Sequence, residues 1–525
     1  MKKFSLLNLL LLLTFFVSAQ KEGLRSISSE SLKSYMTFMA SDDMMGRETG
    51  NPGNDASALF LKSNLMRMGV MGIQGDKEFY QNIPMIKLST ENEIIVKTAG
   101  TTFSSDSVLV LIPPFQTVES TSNVVFAGYG YFDGKTGYND LNGIDIKDKI
   151  VIIMTGTPDD SDDEESMSEV FGDEEQNKLA SILMRGPKAL FMVYNPNSMY
   201  NDPYSSGLAE MIGTGSMEIE GKQIPGIPMQ LGFITQYTAD MILRSSGHDL
   251  SELAQKIEST GKPASFELTG VTVTATTSLV KQSFKSRNVV GIIEGSDPVL
   301  KNECILFSAH FDHTGEIDGK INNGADDNAS GSAVLLETAN AFMKLKKKPA
   351  RSLVFVWVNG EEKGLLGSAY YAENPVIPLE KTLIDINLDM VGRSRLPSDT
   401  GLIFGEKLTV TNPGELEFYS DNEGPEIDKI INESAALAGI RLINKGADLE
   451  FGGSDHLSFR EKGVTAIMFH SGIHADLHTE RDDIEKIDFD KMEKCTKMCF
   501  LLGYKIANHK QKFSSVNKVA SGELD

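Results

Sequence analysis

The chain has 525 residues, with 73 acidic side chains against 50 basic ones and a formal net charge of −23. That balance argues against nucleic acid or anionic lipid as partners, and 40% apolar content at this length suits a globular protein of two or three domains. Three cysteines are too few for a scaffold built on disulfides.

Lys2 and Lys3 make a basic start, Leu6 to Val17 is largely apolar, and Val17-Ser18-Ala19 supplies the small residues that a signal peptidase reads. Residues 1–19 are therefore expected to be a cleaved signal peptide, with the mature protein beginning at Gln20 and exported to the periplasm or secreted. The apolar run is shorter than the roughly 20 residues of a spanning helix. No cysteine follows the cleavage point to carry a lipid, and no later stretch is expected to span a bilayer. The reading is an exported protein without a membrane anchor after cleavage.

Residues 20–117 begin with helical patterns. One helix is expected to follow Gly50-Asn51-Pro52-Gly53 and to end at Gly69. Short β-rich segments follow, at Ile94-Ile95-Val96 and Val108-Leu109-Val110.

The texture changes over residues 118–278. Val124-Val125-Phe126, Lys149 to Met154 and Ala189 to Val193 read as strands, with a helix pattern near Leu179 to Arg185 and an irregular apolar turn at Ile224 to Pro228. This is the pattern of a β-rich domain with a few helices, and it shows no cluster of metal ligands. The acidic run Asp159 to Glu175 lacks the central glycine and alternating ligand spacing of a calcium loop. It reads as a solvated surface loop.

From 279 to 512 apolar strands alternate with helices. Cys304–Ala309, Leu353–Val358 and Leu383–Leu388 are expected strands, and Ser332–Lys346 and Leu366–Ala372 expected helices. Such alternation predicts an α/β fold, a mostly parallel mixed sheet with helices on both faces. Cys495 and Cys499, four apart in a helical pattern, suit neighbouring helix positions more than a disulfide. Residues 513–525 form a polar tail.

The chemistry gathers where those strands end. His310-Phe311-Asp312-His313 follows the first strand, Glu361-Glu362 the second and Asp389 the third, while Asp326-Asp327 precedes a helix. Sheets of this kind bind ligands outside the carboxyl ends of their strands. Imidazole and carboxylate together suit a borderline divalent cation such as zinc. Two ions about 3.5–4 Å apart need a carboxylate that touches both. Two histidines and three carboxylates would complete such a site, with Glu361 free to act on a metal-bridging water and Asp312 placed to orient His310.

In order, His310-Phe311-Asp312-His313, Gly324 to Gly331, Asn359-Gly360-Glu361-Glu362, Asn387-Leu388-Asp389 and His478-Thr479-Glu480-Arg481-Asp482 resemble the five motifs of the co-catalytic di-zinc aminopeptidases. That family also includes glutamate carboxypeptidase II and aminopeptidase Y, and has a zinc exopeptidase fold of phosphorylase/hydrolase-like type. The resemblance implies two zinc ions per chain. His310 and Asp389 would hold one, Glu362 and His478 the other, and Asp327 would bridge them, because it stands three residues before the serine of Ser330-Gly331. The family often has a cis peptide after this aspartate. Glu361 would be the general base. Peptides would be the substrates and an aminopeptidase the activity, with carboxypeptidase or dipeptidase as the near alternative. A single-zinc glutaminyl cyclase and a non-catalytic receptor-like relative fit less well, because all five ligands and the base are present.

The resemblance extends further. Residues 118–278 look like an inserted protease-associated domain, through Ala127-Gly128-Tyr129-Gly130 and Ile144 to Val151, which divides the peptidase domain into 20–117 and 279–512. Met44 to Gly50 resembles the region before the family's first domain helix. One departure stands out. Many members carry a tyrosine shortly before the last metal histidine, where this chain has Leu477. His474 and Asp455-His456 lie in recognisable flanking segments, with expected roles around the metal ligands or in the substrate pocket.

Overall fold

The computed structural model describes residues 20–510 apart from 76–77, 99–101, 113, 159–172, 198–215, 225, 318, 404–405, 421–423 and 447–452. The expected signal peptide, most of the acidic run, part of the apolar turn near residue 225 and the expected polar tail lie outside the described residues. Among those described, no helix is long and apolar enough to cross a membrane.

The chain divides into two compact units, one of Met1–Pro84 with Phe284–Asp525 and one of Met85–Ser283. In the first, six strands carry the argument: β1 (Cys304–His310), β2 (Ser352–Val358), β3 (Thr382–Leu388), β4 (Glu415–Tyr419), β5 (Arg441–Gly446) and β6 (Ala466–His470). They lie in the order β5-β4-β6-β3-β1-β2, and residues 289–293 add a further strand beside β2. The central run β6-β3-β1-β2 is parallel. Antiparallel pairs flank it, β4 against β6 and residues 289–293 against β2. β1 and β2 are buried along their whole length. Their near-continuous apolar sequences follow from cover on both faces.

Helices supply that cover: α1 (Ser29–Met39), α2 (Pro52–Met68), α3 (Gly331–Met343), α4 (Leu366–Glu373), α5 (Pro425–Ala438), α6 (His456–Glu461) and α7 (Phe489–Ala507). Ile305, Phe307 and Ala309 of β1 face one core, shared with α1, α2, α3, α5 and α7. Cys304 and Leu306 point the other way, to a smaller core with Tyr371 of α4 and Phe459 of α6. This is the period-2 alternation of a strand between two layers. Local signals set the helix ends. The Asn51 side chain accepts the Asn54 N–H at 2.8 Å, Pro52 occupies the first turn, and Gly69 closes α2 at φ 78°. All three cysteines are free and buried.

The second unit has a parallel run of strands at its centre. Residues 118–126, 150–154, 189–193 and 230–234 are parallel neighbours in that order, with cores on both faces. Ile94, Val96, Val108 and Val110 belong to one of those cores. This compact unit, Met85–Ser283, thus includes those segments along with residues 118–278.

Candidate metal centre

Three parallel strands end at one edge of the first unit's sheet, and each delivers a ligand-type side chain. His310 is the last residue of β1 and is 1% exposed. Its Nδ1 donates to the carbonyl oxygen of Asp312 at 3.2 Å. That hydrogen bond fixes the tautomer and leaves the Nε2 lone pair facing the cluster. Nε2 lies 3.2 Å from Asp389 Oδ1, 3.4 Å from Asp327 Oδ1 and 4.0 Å from Glu361 Oε2.

Asp327 sits in the turn before α3, and its peptide bond to Asn328 is cis. Its two carboxylate oxygens face different partners. Oδ1 turns to His310, while Oδ2 lies 3.1 Å from His478 Nε2 and 3.5 Å from His313 Nδ1. Glu362, just past β2, places Oε2 3.2 Å from His478 Nε2 and Oε1 2.7 Å from His313 Nδ1. His478 is held at φ 55° and is the most exposed of these side chains.

Among the described residues, ligand atoms within 4.8 Å of one another form three groups: His313, Asp327, Glu362 and His478; His310, Asp327 and Asp389; and His310, Glu361 and Glu362. Asp327 belongs to the first two. Five carboxylates, counting Asp312 and Glu361, crowd against three imidazoles. Burial raises Glu361 well above the usual carboxylate range, and Glu362 and Asp389 add to the rise against the pull of His310. Burial opposes charge on His478, yet Glu362 and Asp327 outweigh it and hold its pKa well above normal. A buried excess of anionic oxygen with imidazole nitrogen at ligand spacing is a donor set that fits divalent zinc.

The five residues expected as ligands and Glu361 thus come together. His313 is the residue that sequence reasoning left without a role, although it closes the first motif. Asp312 acts differently from the expectation. Its carbonyl, and not its carboxylate, meets His310; Oδ1 lies 3.9 Å from that Nδ1. The carboxylate instead accepts the backbone N–H groups of Glu361 at 3.2 Å and Glu362 at 3.4 Å. Thr49 adds a hydroxyl to Asp312 Oδ2 at 3.2 Å.

Other buried groups brace the ligand loops. Arg47, fully buried, donates to the carbonyls of Met39, Phe311, Asn323 and Gly324. His474 Nε2 lies 3.6 Å from Asp326 Oδ2. Asp455 and His456 are wholly buried near the centre, and burial pushes the Asp455 carboxyl up to about 7. A small cavity beside Asp389 is lined by Tyr419, Ser454, Met468 and His470 among others.

Comparison with known proteins agrees with this geometry. The profile of Peptidase family M28 matches residues 288–502. Aminopeptidase YwaD of Bacillus subtilis is 26% identical over 44% of this chain and 47% of its own length. Leupeptin-inactivating enzyme 1 of Streptomyces exfoliatus is 30% identical over 35% of this chain and 36% of its own. The chain therefore spans about half or less of the length of these curated relatives. An aminopeptidase from Aneurinibacillus sp. strain AM-1 shares the fold, with TM-score 0.53 and 20% identity over 95% of this chain and 98% of that one. The segment matched by Peptidase family M28, residues 288–502, carries every ligand-type side chain of the centre.

Proposed function

We propose that the protein is a zinc-dependent exopeptidase, an aminopeptidase that releases N-terminal residues from peptides, working with two zinc ions per chain. The observation that carries this reading is the Asp327 carboxylate, whose two oxygens face two separate groups of ligand atoms. Relatives named as aminopeptidases support the choice of reaction.

In this reading His310 and Asp389 hold one zinc, Glu362 and His478 the other, and Asp327 spans both. The bound pair supplies Lewis acidity and lowers the pKa of water at the centre toward ~7. Glu361 takes a proton from the attacking water and passes it to the departing amine. Asp312 holds the backbone from which Glu361 and Glu362 project, and its carbonyl keeps His310 in the ligating tautomer. Tyr419 lines the cavity beside Asp389, and its hydroxyl donates to Glu417 at 2.8 Å. It is a tyrosine within the pocket of a chain that has Leu477 before the last ligand histidine. We also assign residues 118–278 as a protease-associated domain, and residues 1–19 as a signal peptide that exports the mature chain to the periplasm or medium.

The deciding experiment incubates the zinc-loaded protein with a peptide library and reads product masses from both ends. Sequential loss of N-terminal residues, abolished by a chelator and restored by zinc, is the expected result. Loss from the C terminus would make it a carboxypeptidase, cleavage of dipeptides alone a dipeptidase. No cleavage at full zinc occupancy would overturn the enzymatic reading.

A further inference from the structure

The turn Asn359-Gly360-Glu361-Glu362 follows β2 directly and carries both the proposed base and a proposed ligand. Gly360 takes it through φ 82°, where side chains are rarely tolerated. Past the turn, the N–H groups of Gly364 and Leu365 donate to the Glu361 carbonyl at 2.9 and 3.0 Å. On one side, the Asp312 carboxylate holds the N–H groups of Glu361 and Glu362. The other side is held by the Asn359 side chain, which is wholly buried.

Every hydrogen and lone pair of that amide is used. Nδ2 donates to Asn54 Oδ1 at 2.8 Å and to the Ser286 hydroxyl at 2.6 Å. Oδ1 accepts from Asn54 Nδ2 at 2.9 Å and from the Thr49 hydroxyl at 3.1 Å. Two donors and two acceptors on an uncharged side chain of this length are found only in asparagine. The backbone joins in, since the Asn359 N–H donates to Asn288 Oδ1 at 3.1 Å. Behind it lies Gly367, where a Cβ would sit 2.3 Å from the Asn359 carbonyl oxygen. The amide is thereby fixed in both place and orientation.

The Thr49 hydroxyl joins the two sides of the turn. It lies 3.2 Å from Asp312 Oδ2 and 3.1 Å from Asn359 Oδ1, and both oxygens accept, so its single hydrogen is shared between them. We infer that Thr49 and Asn359 are positioning residues for the reaction. Together with Asp312 they clamp the turn, so that Glu361 and Glu362 are presented to the centre in one fixed arrangement. The inference rests on the exopeptidase reading above and adds to it two buried, uncharged residues that act through Glu361.

The competing account is that this network only stabilises the fold. A stabilising role moves the melting temperature and leaves the turnover of folded enzyme alone. Thr49→Val removes the hydroxyl at nearly the same shape, Thr49→Ser keeps it, and Asn359→Ala removes the whole amide. Each full-length variant is saturated with zinc, its folded fraction is measured by circular dichroism, and rates are taken on the library peptide that wild type cleaves fastest. A misplacement of about 1 Å near the chemistry costs up to about 100-fold, so kcat per folded chain should fall about 10–100-fold in Asn359→Ala and at least about 5-fold in Thr49→Val. Thr49→Ser should recover most of the wild-type rate. KM should stay near its wild-type value, because the loss lies in the placement of the base and not in substrate binding. If Asn359→Ala does not fold, the two threonine variants decide. Wild-type kcat in Thr49→Val would overturn the inference whatever its melting temperature, and so would an equal loss in Thr49→Ser or a rise in KM alone. A wild type that cleaves no peptide at full zinc would instead overturn the exopeptidase reading.

Discussion

The Asp482 carboxylate accepts the backbone N–H of Asp327 at 3.0 Å, and it takes the N–H of Asp326 as well. The last motif thus grips the second. Asp482 stands four residues beyond His478, so one short segment supplies a proposed ligand and the brace for the proposed bridging carboxylate. Nothing in the proposed chemistry needs Asp482 to touch metal or substrate. Asp482→Ala should lower zinc affinity by about 10–100-fold, the usual effect of removing an outer partner. Asp482→Asn, which keeps one acceptor oxygen, should lose less. A chelator competition on both variants checks the order, and wild-type affinity in Asp482→Ala would remove Asp482 from the account.

Arg47 ties two ligand loops together, because its guanidinium reaches the carbonyl between His310 and Asp312 and the one that opens the Asp327 turn. Burial lowers its pKa to about 10, which still leaves it charged at neutral pH. Arg47→Ala strips four buried carbonyls of their donor and should cost more than about 3 kcal/mol of stability. Arg47→Lys keeps the charge but not the planar fork, so it should recover only part of the loss. Denaturant melts of the metal-free proteins measure both. A lysine variant as stable as wild type would show that charge alone is needed.

Much of this was legible in the residues. Apolar strands alternating with helical patterns point to a covered parallel sheet, and β1, β2 and β3 appear within a residue of their expected bounds. Ligand-type side chains fall just past those strands, which is where such sheets open to ligands. What the residues could not convey is direction and distance along the chain. Asp312 is equally able to meet His310 with its carboxylate or its carbonyl, and only folded geometry turns the carboxylate to Glu361 and Glu362. Arg47 finds Phe311 across 264 positions, and no local pattern announces such a pair. The strands near Val96 and Val110 join a core built by residues far downstream, a partnership that composition does not announce.

Glu337, on α3, lies buried beneath the Tyr35 hydroxyl, with its pKa pushed up to about 7, chiefly by burial. The folded state therefore holds this proton more tightly than the unfolded chain, whose glutamates titrate near 4.5. The stability it contributes is complete below about 4.5 and is lost as pH rises through about 7. Glu337→Gln cannot ionise, so its advantage over wild type should grow across that window, reaching on the order of 1–3 kcal/mol at pH 8. Parallel melts of both proteins from pH 5 to pH 8 give the test. A constant difference between the curves would show that Glu337 does not titrate in this range.

Glu361 and Glu362 hang from one backbone anchor, since both N–H groups bond to the Asp312 carboxylate. Their side chains nevertheless diverge. Glu362 turns to His313 and His478, within hydrogen-bond distance of each, whereas Glu361 comes no nearer to His310 than 4.0 Å. In the proposed mechanism one is a ligand and the other a base, so losing each should produce a different failure. Glu361→Gln keeps size and shape but cannot accept a proton, and its kcat should fall by about 10²–10⁴-fold with zinc content near two per chain. Glu362→Gln should lose zinc, because a neutral amide is a poor ligand for a borderline cation. Metal analysis and kinetics on both variants, each checked for folding, decide the matter. Zinc lost from Glu361→Gln but kept in an inactive Glu362→Gln would reverse the two roles. Full zinc with near-normal turnover in both would mean that neither carboxylate does what its position suggests.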